Sequence, residues 1–263
     1  MVRVSVIACA WLFAATIIPA AGEPVPLARA HAHNDYRHGR PLLDALTNGF
    51  CSVEADIFLV AGKLLVGHDR GELKPQRTLK ALYLDPLRER SRANNGRIYK
   101  GGPVFTLLID IKSGGEATYR ALAEVLAEYP GLLSGTRAGK FTERAVAVII
   151  SGNRAKDIIA ADDPRFAGID GRLADLESIA PSHLLPLISD RWSSHFRWRG
   201  EGDFPEAERI KLHRIVKQAH AKGRRVRFWA TPERETLWRE LAEAGVDLIN
   251  TDDLPGLRAF LSP

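Results

Sequence analysis

Short apolar segments separated by polar stretches recur along the chain from residue 27 onward. Eight of them have the length and apolar content of buried β-strands. They cover 27–33, 51–58, 104–112, 145–151, 166–170, 184–189, 225–230 and 246–250. Continuous apolar runs of this length are typical of strands that are buried inside a protein. We therefore predict eight strands distributed over the whole chain after its first 26 residues.

Between most of these segments lie stretches with apolar residues at i, i+3 and i+4, which is the helical period. The clearest are GEATYRALAEVLAEYPG, FPEAERIKLHRIVKQAHAKG and PERETLWRELAEAG. RPLLDALTNG also has Pro41 near its start and Gly49 at its end, the usual asymmetry of a helix. Alternating strands and helices predict a parallel sheet with right-handed crossovers.

Eight such strand–helix units in about 240 residues match a single (β/α)₈ barrel of the TIM type. A doubly wound open sheet is the alternative fold. That fold usually carries a Gly-rich phosphate loop after its first strand, and the sequence has none there. The barrel is therefore the predicted architecture.

The first 22 residues have the order of a secretory leader. Arg3 precedes an apolar run at 4–18, and small residues follow at 20–22. This order is that of a signal peptide, and the run is short for a membrane anchor, which needs about 20 apolar residues. We expect cleavage near Gly22, one mature domain over 23–263, and a secreted or periplasmic protein.

Composition narrows the class of partner. The chain has 37 Lys and Arg against 32 Asp and Glu, a net charge of +5 at pH 7. Loss of the leader, whose only charged side chain is Arg3, would leave +4. This mild charge is compatible with an anionic substrate and gives no case for nucleic acid. Cys51 would be the only cysteine left, so a large core rather than a disulfide must hold the chain, which we expect to be a monomer.

Polar side chains gather at the C-terminal ends of the predicted strands, where the active sites of such barrels lie. They are His31, His33, Glu54, Asp56, Asp110, Lys112, Ser151, Asn153, Asp170, Ser189, Asp190, Trp229, Asn250 and Asp252. Because side chains alternate faces along a strand, Glu54 and Asp56 share one face, as do Asp110 and Lys112. The apolar residues at odd positions of 105–111 then pack on helices, and the carboxylates point into the barrel.

Three inward acids from two strands favour a hard divalent cation with oxygen ligands, either Mg²⁺ or Ca²⁺. Glu54, Asp56 and Asp110 are the predicted ligands. Carboxylates about 7 Å apart along one strand repel each other unless a cation or protons lie between them. The alternative is a salt-bridge network with Arg29 or Arg227.

Histidines near these acids are candidates for proton transfer. His31 and His33 share one face of the first strand. The stretch KLLVGHD predicts a short extended excursion that returns His68 to the mouth of the barrel. Because histidine titrates near neutrality, a pair on either side of a substrate can act as base and acid in turn.

Three further features flank the predicted site. Lys112 would stabilise phosphate charge or pair with Asp110. Trp229 would contact a substrate or pack in the core. The loop 191–204 combines arginines with Trp192, Phe196 and Trp198. Such a loop is either a flap that packs on the barrel rim, a substrate lid, or a segment that makes transient contact with a membrane surface.

The ordered motifs resemble those of the PLC-like phosphodiesterase superfamily. It includes glycerophosphodiester phosphodiesterases, phospholipase D toxins and phosphatidylinositol phospholipases C. The matching motifs are His31-x-x-Asn-Asp, Glu54-x-Asp56, His68-Asp and Asp110-x-Lys112. The series HNDY, VEAD, GHD, TLKALYLDPL, RFWATPE and GVDLINTDDL resembles most the bacterial and fungal group named after altered-inheritance-of-mitochondria proteins. The resemblance spans residues 28 to about 255.

This resemblance implies a role for each matched position. The implied metal ligands, phosphoryl-binding lysine and substrate-side aromatic residue are Glu54, Asp56, Asp110, Lys112 and Trp229. His31 would be the first catalytic histidine and His68 the second. An alternative alignment gives His33 the first role, but we prefer His31 because the Asn-Asp that follows falls at the spacing of the toxin branch. Asn34 and Arg227 are expected to contact the substrate.

Two departures from the pattern bear on the substrate. Glycerophosphodiesterases carry His-Arg-Gly at the first strand and Glu-Asn-Thr soon after, whereas here Ala32 replaces that Arg and no Glu-Asn-Thr occurs. The resemblance therefore implies a phosphoric diester hydrolase of lipid metabolism, acting on a small phosphodiester or a phospholipid-derived substrate, but it does not favour glycerophosphodiesters.

The sequence leaves the nucleophile and the enzyme class partly open. No Ser or Cys is expected beside a base, so a substrate hydroxyl, giving a cyclic phosphate, or a water would attack. A barrel metallohydrolase acting on another ester is one alternative function. The other is a catalytically silent barrel that binds phosphorylated ligands.

Overall fold

The computed structural model describes residues 23–262, so the predicted leader lies outside the described residues. Eight strands form a closed parallel barrel, which confirms the predicted fold. They are β1 (Leu27–Ala32), β2 (Phe50–Val60), β4 (Phe105–Ile111), β7 (Val146–Gly152), β8 (Ala167–Gly171), β9 (Leu187–Arg191), β10 (Arg225–Trp229) and β11 (Leu248–Thr251). Successive strands pair in parallel, and β1 pairs with both β2 and β11, which closes the barrel.

Further strands lie outside the barrel. β3 (Lys63–Val66) runs antiparallel to the end of β2 and is the predicted extended excursion before His68. β5 (Gly135–Arg137) and β6 (Lys140–Thr142) form a separate hairpin that the sequence pattern did not predict.

Helices connect the barrel strands. Those of residues 23–262 are α1 (Leu43–Thr47), α2 (Asp85–Ala93), α3 (Gly115–Ala127), α4 (Lys156–Ala161), α5 (Trp192–His195), α6 (Glu206–Ala221), α7 (Glu235–Glu243) and α8 (Leu254–Leu261). α1, α3, α6 and α7 coincide with the four predicted helical stretches. Among the described residues, no helix is both long enough and apolar enough to span a bilayer.

The alternation of side chains along β4 decides which residues reach the site. Its odd-numbered residues from Phe105 to Ile111 belong to the large apolar core that includes the helices. Leu108 points the other way, into a small apolar layer with Ile149, Leu187 and Leu248. Asp110 lies two residues further along the same face, and Asp56 is its register partner on β2. The predicted inward direction of these carboxylates is confirmed.

The segment 191–204 packs onto the barrel as a flap. Its aromatic residues Trp192, Phe196, Trp198 and Phe204 are buried. The rings of Trp192 and Phe196 stack with centroids 4.1 Å apart, and both meet Phe228 edge-on. Because these rings lie in the core, the structure favours the covering flap among the three expected roles of this segment.

Candidate active site

A pocket of about 220 Å³ opens at the C-terminal ends of the barrel strands. It is lined by His33, Asn34, Glu54, His68, Asp110, Lys112, Ser151, Arg172, Arg227 and Trp229. Every predicted site residue is in this set except Asp56 and His31, both of which lie buried in the wall. The fold thus brings together residues that are up to about 200 positions apart in the chain.

Glu54, Asp56 and Asp110 form a cluster in which one ligand oxygen of each lies within 4.8 Å of the other two. Each acid contacts the protein through one oxygen only: Glu54 Oε2, Asp56 Oδ2 and Asp110 Oδ1. Within residues 23–262 the second oxygen of each makes no hydrogen bond or ion pair, and that of Asp56 is buried. Three hard donors with free lone pairs fit a divalent cation such as Mg²⁺ or Ca²⁺.

Two basic residues neutralise part of this cluster. Arg227 Nη2 donates to Glu54 Oε2 over 2.6 Å, and Lys112 Nζ lies 3.2 Å from Asp56 and 3.3 Å from Asp110. Burial disfavours the charged form of Glu54, but the Arg227 guanidinium, the hydrogen bond from His31 and the nearby His33 together outweigh it, so the pKa of that carboxyl is lowered. Burial and the charges of Asp56 and Glu54 raise the pKa of Asp110 in spite of Lys112. The cluster therefore keeps negative charge that a bound cation would neutralise.

Part of the alternative salt-bridge network is present. Arg227 makes the predicted ion pair with Glu54, whereas Arg29 donates to the carbonyl of Ala242 on α7, away from the pocket. The ion pair occupies one oxygen of Glu54 and leaves the other free. The network and a cation are therefore compatible in one site.

His68 is held in a defined orientation by Asp56. Its Nδ1 lies 2.8 Å from Asp56 Oδ2, and the Tyr36 hydroxyl donates to the same oxygen over 2.7 Å. Because a carboxylate only accepts hydrogen bonds, this contact favours the proton on Nδ1 of the neutral ring. Nε2 is then the nitrogen that can exchange a proton with a ligand. Tyr36, whose hydroxyl also lies 2.7 Å from Asn34 Oδ1, was not predicted, although it belongs to the motif HNDY.

His33 lies at the mouth of the barrel, just beyond the end of β1, and also has a carboxylate partner. Its Nδ1 lies 2.8 Å from Asp252 Oδ1, which follows β11. Burial opposes the charged ring, but the hydrogen bond to Asp252 and the negative charges of Glu54 and Asp252 together outweigh it, so the pKa of His33 is raised. His33 and His68 are thus two pocket histidines, each with Nδ1 bound to an aspartate.

His31 lies behind the pocket. Its ring is fully buried, with Nδ1 2.7 Å from Ser52 Oγ and Nε2 3.4 Å from Glu54 Oε2. Burial, aided by the charge of Arg227, lowers the pKa of His31 to about 3, so the ring is neutral near pH 7. This position behind the pocket disfavours the preferred assignment of His31 as the first catalytic histidine. The geometry favours the alternative alignment, which gives that role to His33.

The expectation that the site offers no Ser beside a base holds for the pocket. Ser52, His31 and Glu54 form a hydrogen-bonded chain, but Ser52 is 0% exposed and a ligand cannot reach it. Ser151 does line the pocket, yet its hydroxyl donates to Asp170 rather than to a histidine. Among the described residues, the pocket therefore offers no serine that a histidine could activate.

Trp229 and Arg172 complete the rim. Trp229 is only partly buried and lines the pocket, with the Arg191 guanidinium 5.7 Å from its ring centre, so it is not a core residue. Arg172, directly after β8, was not predicted. The only sequence signal for it was its place after a strand end.

Two family models match this chain. The AIM6-like phosphodiesterase domain matches residues 21–167, and the Glycerophosphoryl diester phosphodiesterase family matches residues 225–255. The first range contains the three acids, both pocket histidines and Lys112. The second contains Arg227 and Trp229.

Curated proteins with related sequences extend over most of the chain. It is 32% identical over 278 residues to Altered inheritance of mitochondria protein 6 of Eremothecium gossypii, covering 89% of this chain and 69% of the relative. It is 29% identical over 273 residues to the Altered inheritance of mitochondria protein 6 homolog of Arthroderma benhamiae, covering 90% and 84%.

Solved structures with the same fold include two glycerophosphodiester phosphodiesterases. The one from Agrobacterium tumefaciens is 16% identical, with a TM-score of 0.56 over 90% of this chain and 100% of that chain. The one from Parabacteroides distasonis is also 16% identical, with a TM-score of 0.51 over 89% and 96%. At this identity the likeness concerns the barrel fold.

Proposed function

Because this chain belongs to the AIM6-like phosphodiesterase domain family, we propose that it hydrolyses phosphoric diesters in the pocket of its barrel. One observation carries the proposal. His33 and His68 line the same small pocket as the acidic cluster, and each has its Nδ1 bound to an aspartate. Two oriented proton carriers beside a candidate cation site are what cleavage of a phosphodiester requires.

The proposed cofactor is one divalent cation, Mg²⁺ or Ca²⁺, held by Glu54, Asp56 and Asp110. When bound, such a cation would neutralise phosphate charge and favour attack at phosphorus. Lys112 and Arg227 retain their positive charge beside the cluster and attract the anionic diester.

The two histidines divide the proton transfers. His68, whose Nδ1 proton is held by Asp56, accepts the proton of the attacking hydroxyl or water at Nε2. His33, whose Asp252 partner favours the protonated ring, donates a proton to the leaving oxygen. The new P–O bond forms as the bond to the leaving oxygen breaks, and the proton taken by His68 balances the one given by His33.

The nucleophile comes from the substrate or the solvent. Ser52 is sealed in the wall, and Ser151 donates to Asp170, so neither is poised for attack. A hydroxyl beside the scissile bond gains from proximity, which contributes up to about 7–11 kcal/mol in favourable cases. We propose that such a hydroxyl attacks first and gives a cyclic phosphate, which phosphorus NMR would reveal early in the reaction.

Export is a separate part of the proposal. The leader at 1–22 would direct the chain out of the cytoplasm, where a phosphodiester derived from phospholipids would be met. N-terminal sequencing of the protein recovered outside the cytoplasm tests this part. A new N-terminus close to Gly22 is expected, and recovery of the intact leader would contradict it.

The test of activity is a screen with bis-p-nitrophenyl phosphate and phospholipid-derived diesters, with and without a chelator. Turnover that is lost on chelation and restored by Mg²⁺ or Ca²⁺ supports the proposal. Binding of phosphodiesters without turnover by any substrate would instead favour a silent barrel that binds phosphorylated ligands. Cleavage of carboxylic esters only would favour a metallohydrolase of a different class.

A further inference from the structure

The side of the pocket away from β1 and β2 carries a positively charged group that the proposed mechanism does not use. Arg172 leaves the end of β8 and lines the pocket beside Ser151. Its Nη1 donates to Asp170 Oδ2 over 2.7 Å and to the carbonyl of Gly171 over 3.1 Å. Within residues 23–262, every side-chain hydrogen bond of Arg172 is made by Nη1. The other nitrogens of the guanidinium remain available to a ligand.

Asp170 fixes this guanidinium in place. The carboxylate is 1% exposed and also accepts hydrogen bonds from the hydroxyls of Ser151 and Ser189, each over 2.7 Å. An arginine anchored by a buried, fully hydrogen-bonded carboxylate loses little side-chain freedom when it binds a ligand. The subsite is therefore preorganised.

A second arginine lies next to the first. Arg154, which follows β7, donates through Nη1 to the backbone carbonyl of Asp170. Burial, together with the positive charge of Arg172, lowers the pKa of Arg154. Asp170 therefore contacts both guanidinium groups, one through its carboxylate and the other through its carbonyl. The carboxylates of Asp175 and Asp110 offset part of the arginine charge, and the two arginines together would attract a bound anion.

The distance between Arg172 and the acidic cluster limits how far an anionic group of the substrate can lie from its scissile phosphate. Ser151 is the register partner of Asp110, and β8 is the next strand after β7. Strands lie about 4.8 Å apart, so the backbone of Asp170, which continues this register on β8, is roughly 10 Å from that of Asp110, and Arg172 follows two residues later. The side chain of Arg172 shortens this gap. A substituent of the substrate that lies a few bonds from the scissile phosphorus can therefore reach the Arg172 guanidinium.

The lining also limits the chemistry of the substrate. Trp229 is the single apolar side chain among the residues that line this pocket, whose volume of about 220 Å³ suits a phosphate with a compact polar substituent. An acyl chain would have no apolar wall to pack on.

We propose that the alcohol portion of the substrate carries a second anionic group, a carboxylate or a phosphate, which Arg172 binds with the support of Arg154. This inference rests on the proposed phosphodiesterase function and names the class of diester that the pocket accepts. Arg172 is then the residue that determines specificity, since its guanidinium fork matches a two-oxygen anion.

The test uses three p-nitrophenyl phosphodiesters that differ only in the second alcohol. These alcohols are glycerate esterified at its primary hydroxyl, glycerol 3-phosphate esterified at its other primary hydroxyl, and the neutral methyl glycerate, so that each substrate keeps a hydroxyl beside the scissile bond. For the wild-type protein, the kcat/KM of at least one anionic substrate should exceed that of the neutral one by about tenfold or more, the usual effect of a hydrogen bond to a charged group. The better anionic substrate identifies carboxylate or phosphate as the ligand.

In Arg172→Met the ratio of anionic to neutral kcat/KM should fall to within about twofold of one, mostly through KM. Arg172→Lys keeps a charge beside buried Asp170 and so protects the fold, and its ratio should be intermediate because the fork is lost. Arg214→Met removes an exposed arginine of α6 and should keep the wild-type ratio.

Three results would overturn the inference. Equal kcat/KM values for anionic and neutral substrates in the wild type would refute it and leave the phosphodiesterase function standing. A wild-type preference that survives in both Arg172 variants would show that the anion binds elsewhere. Turnover of none of the three substrates would refute the inference together with the proposed function.

Discussion

Asp56 binds His68 with one carboxylate oxygen and leaves the other free. Its Oδ2 lies 2.8 Å from His68 Nδ1, and its Oδ1 is buried without a hydrogen-bond partner among residues 23–262. One side chain therefore orients a proton carrier and offers a ligand atom to a cation. A change of charge at this position should affect both properties.

We predict that Asp56→Asn loses both properties. The amide keeps the shape but removes the charge, and its NH₂ group can no longer accept the proton of His68 Nδ1. We expect a loss of at least about 10²-fold in kcat and weaker binding of Mg²⁺ or Ca²⁺ by isothermal titration calorimetry. Asp203→Asn, an exposed aspartate of the flap, is the control. Full activity of Asp56→Asn would remove Asp56 from the site.

The two N-terminal histidines should respond differently to removal. His33→Ala should stay folded and lose about 10²-fold or more in kcat. His31→Ala should chiefly lose stability, because it leaves a buried cavity and an unpaired hydroxyl on Ser52, at a cost of about 1–3 kcal/mol.

Rescue by added imidazole separates these two cases. The His33 position opens on the pocket, so imidazole should restore part of the activity of His33→Ala. The His31 position is sealed in the wall, so imidazole should not restore that of His31→Ala. The reverse pattern would reinstate His31 as the first catalytic histidine.

The choice between His31 and His33 could not be made from the sequence. The eight strands and the inward carboxylates followed from short apolar runs and the two-residue period of a strand. The same period places His31 and His33 on one face and does not separate them. They differ because β1 ends at Ala32, so His31 lies inside the wall while His33 lies at its mouth.

Two other features depended on contacts that a sequence does not show. Arg172 reaches the pocket because buried Asp170 anchors it. Both residues lie at the end of a strand whose neighbours are set only by the closed barrel. The flap 191–204 combines aromatic and basic residues, a composition that fits a membrane surface as well as a core. Its burial is decided by Phe228, a partner about 30 positions away.

Gly152 is predicted to keep the acidic cluster in place. Its φ is +67°, and a Cβ there would lie 2.1 Å from Asp110 Oδ1 and 2.5 Å from the Ile111 carbonyl. Gly152→Ala should therefore displace Asp110 and weaken cation binding by about tenfold or more, as measured by calorimetry.

Gly62→Ala is the matched control for this substitution. Gly62 has a similar φ of +75°, but a Cβ there would meet nothing within 4 Å. Both variants carry the strain of a left-handed residue, about 1–2 kcal/mol, and only Gly152→Ala adds the clash. Equal cation affinities in the two variants would contradict the role of Gly152.

Phe196 should act as a core residue of the flap. Its ring is 2% exposed and packs on Trp192 and Phe228, so Phe196→Ala should lower the free energy of unfolding by about 3–5 kcal/mol. Ile179→Ala, at a fully exposed position, should change it by less than about 0.5 kcal/mol. If Phe196→Ala were as stable as the wild type but co-sedimented less with anionic vesicles, the result would instead support membrane contact.

Asp35 should make the stability of the protein depend on pH. Its buried carboxyl accepts hydrogen bonds from the Leu42 amide and the Tyr83 hydroxyl, and its Oδ1 has no partner within residues 23–262. Burial raises its pKa to about 7, in spite of these two bonds. Between its ordinary value and 7, the folded state binds a proton that the unfolded state does not. Stability is therefore lost as the pH rises through this range.

Asp35→Asn cannot titrate at this position, so it does not lose this stability as the pH rises. The free energy of unfolding of the variant minus that of the wild type should therefore increase by about 2–3 kcal/mol between pH 5 and pH 8. Urea unfolding of both proteins at the two pH values measures this difference, in which the other titrating groups cancel. In Asp44→Asn the difference should stay flat, because the Arg40 backbone hydrogen bond lowers the pKa of the partly exposed Asp44 carboxyl, whose titration then affects stability only below pH 5. A flat difference for Asp35→Asn as well would mean that Asp35 ionises as an ordinary carboxyl, and that the turn between His33 and β2 tolerates its charge.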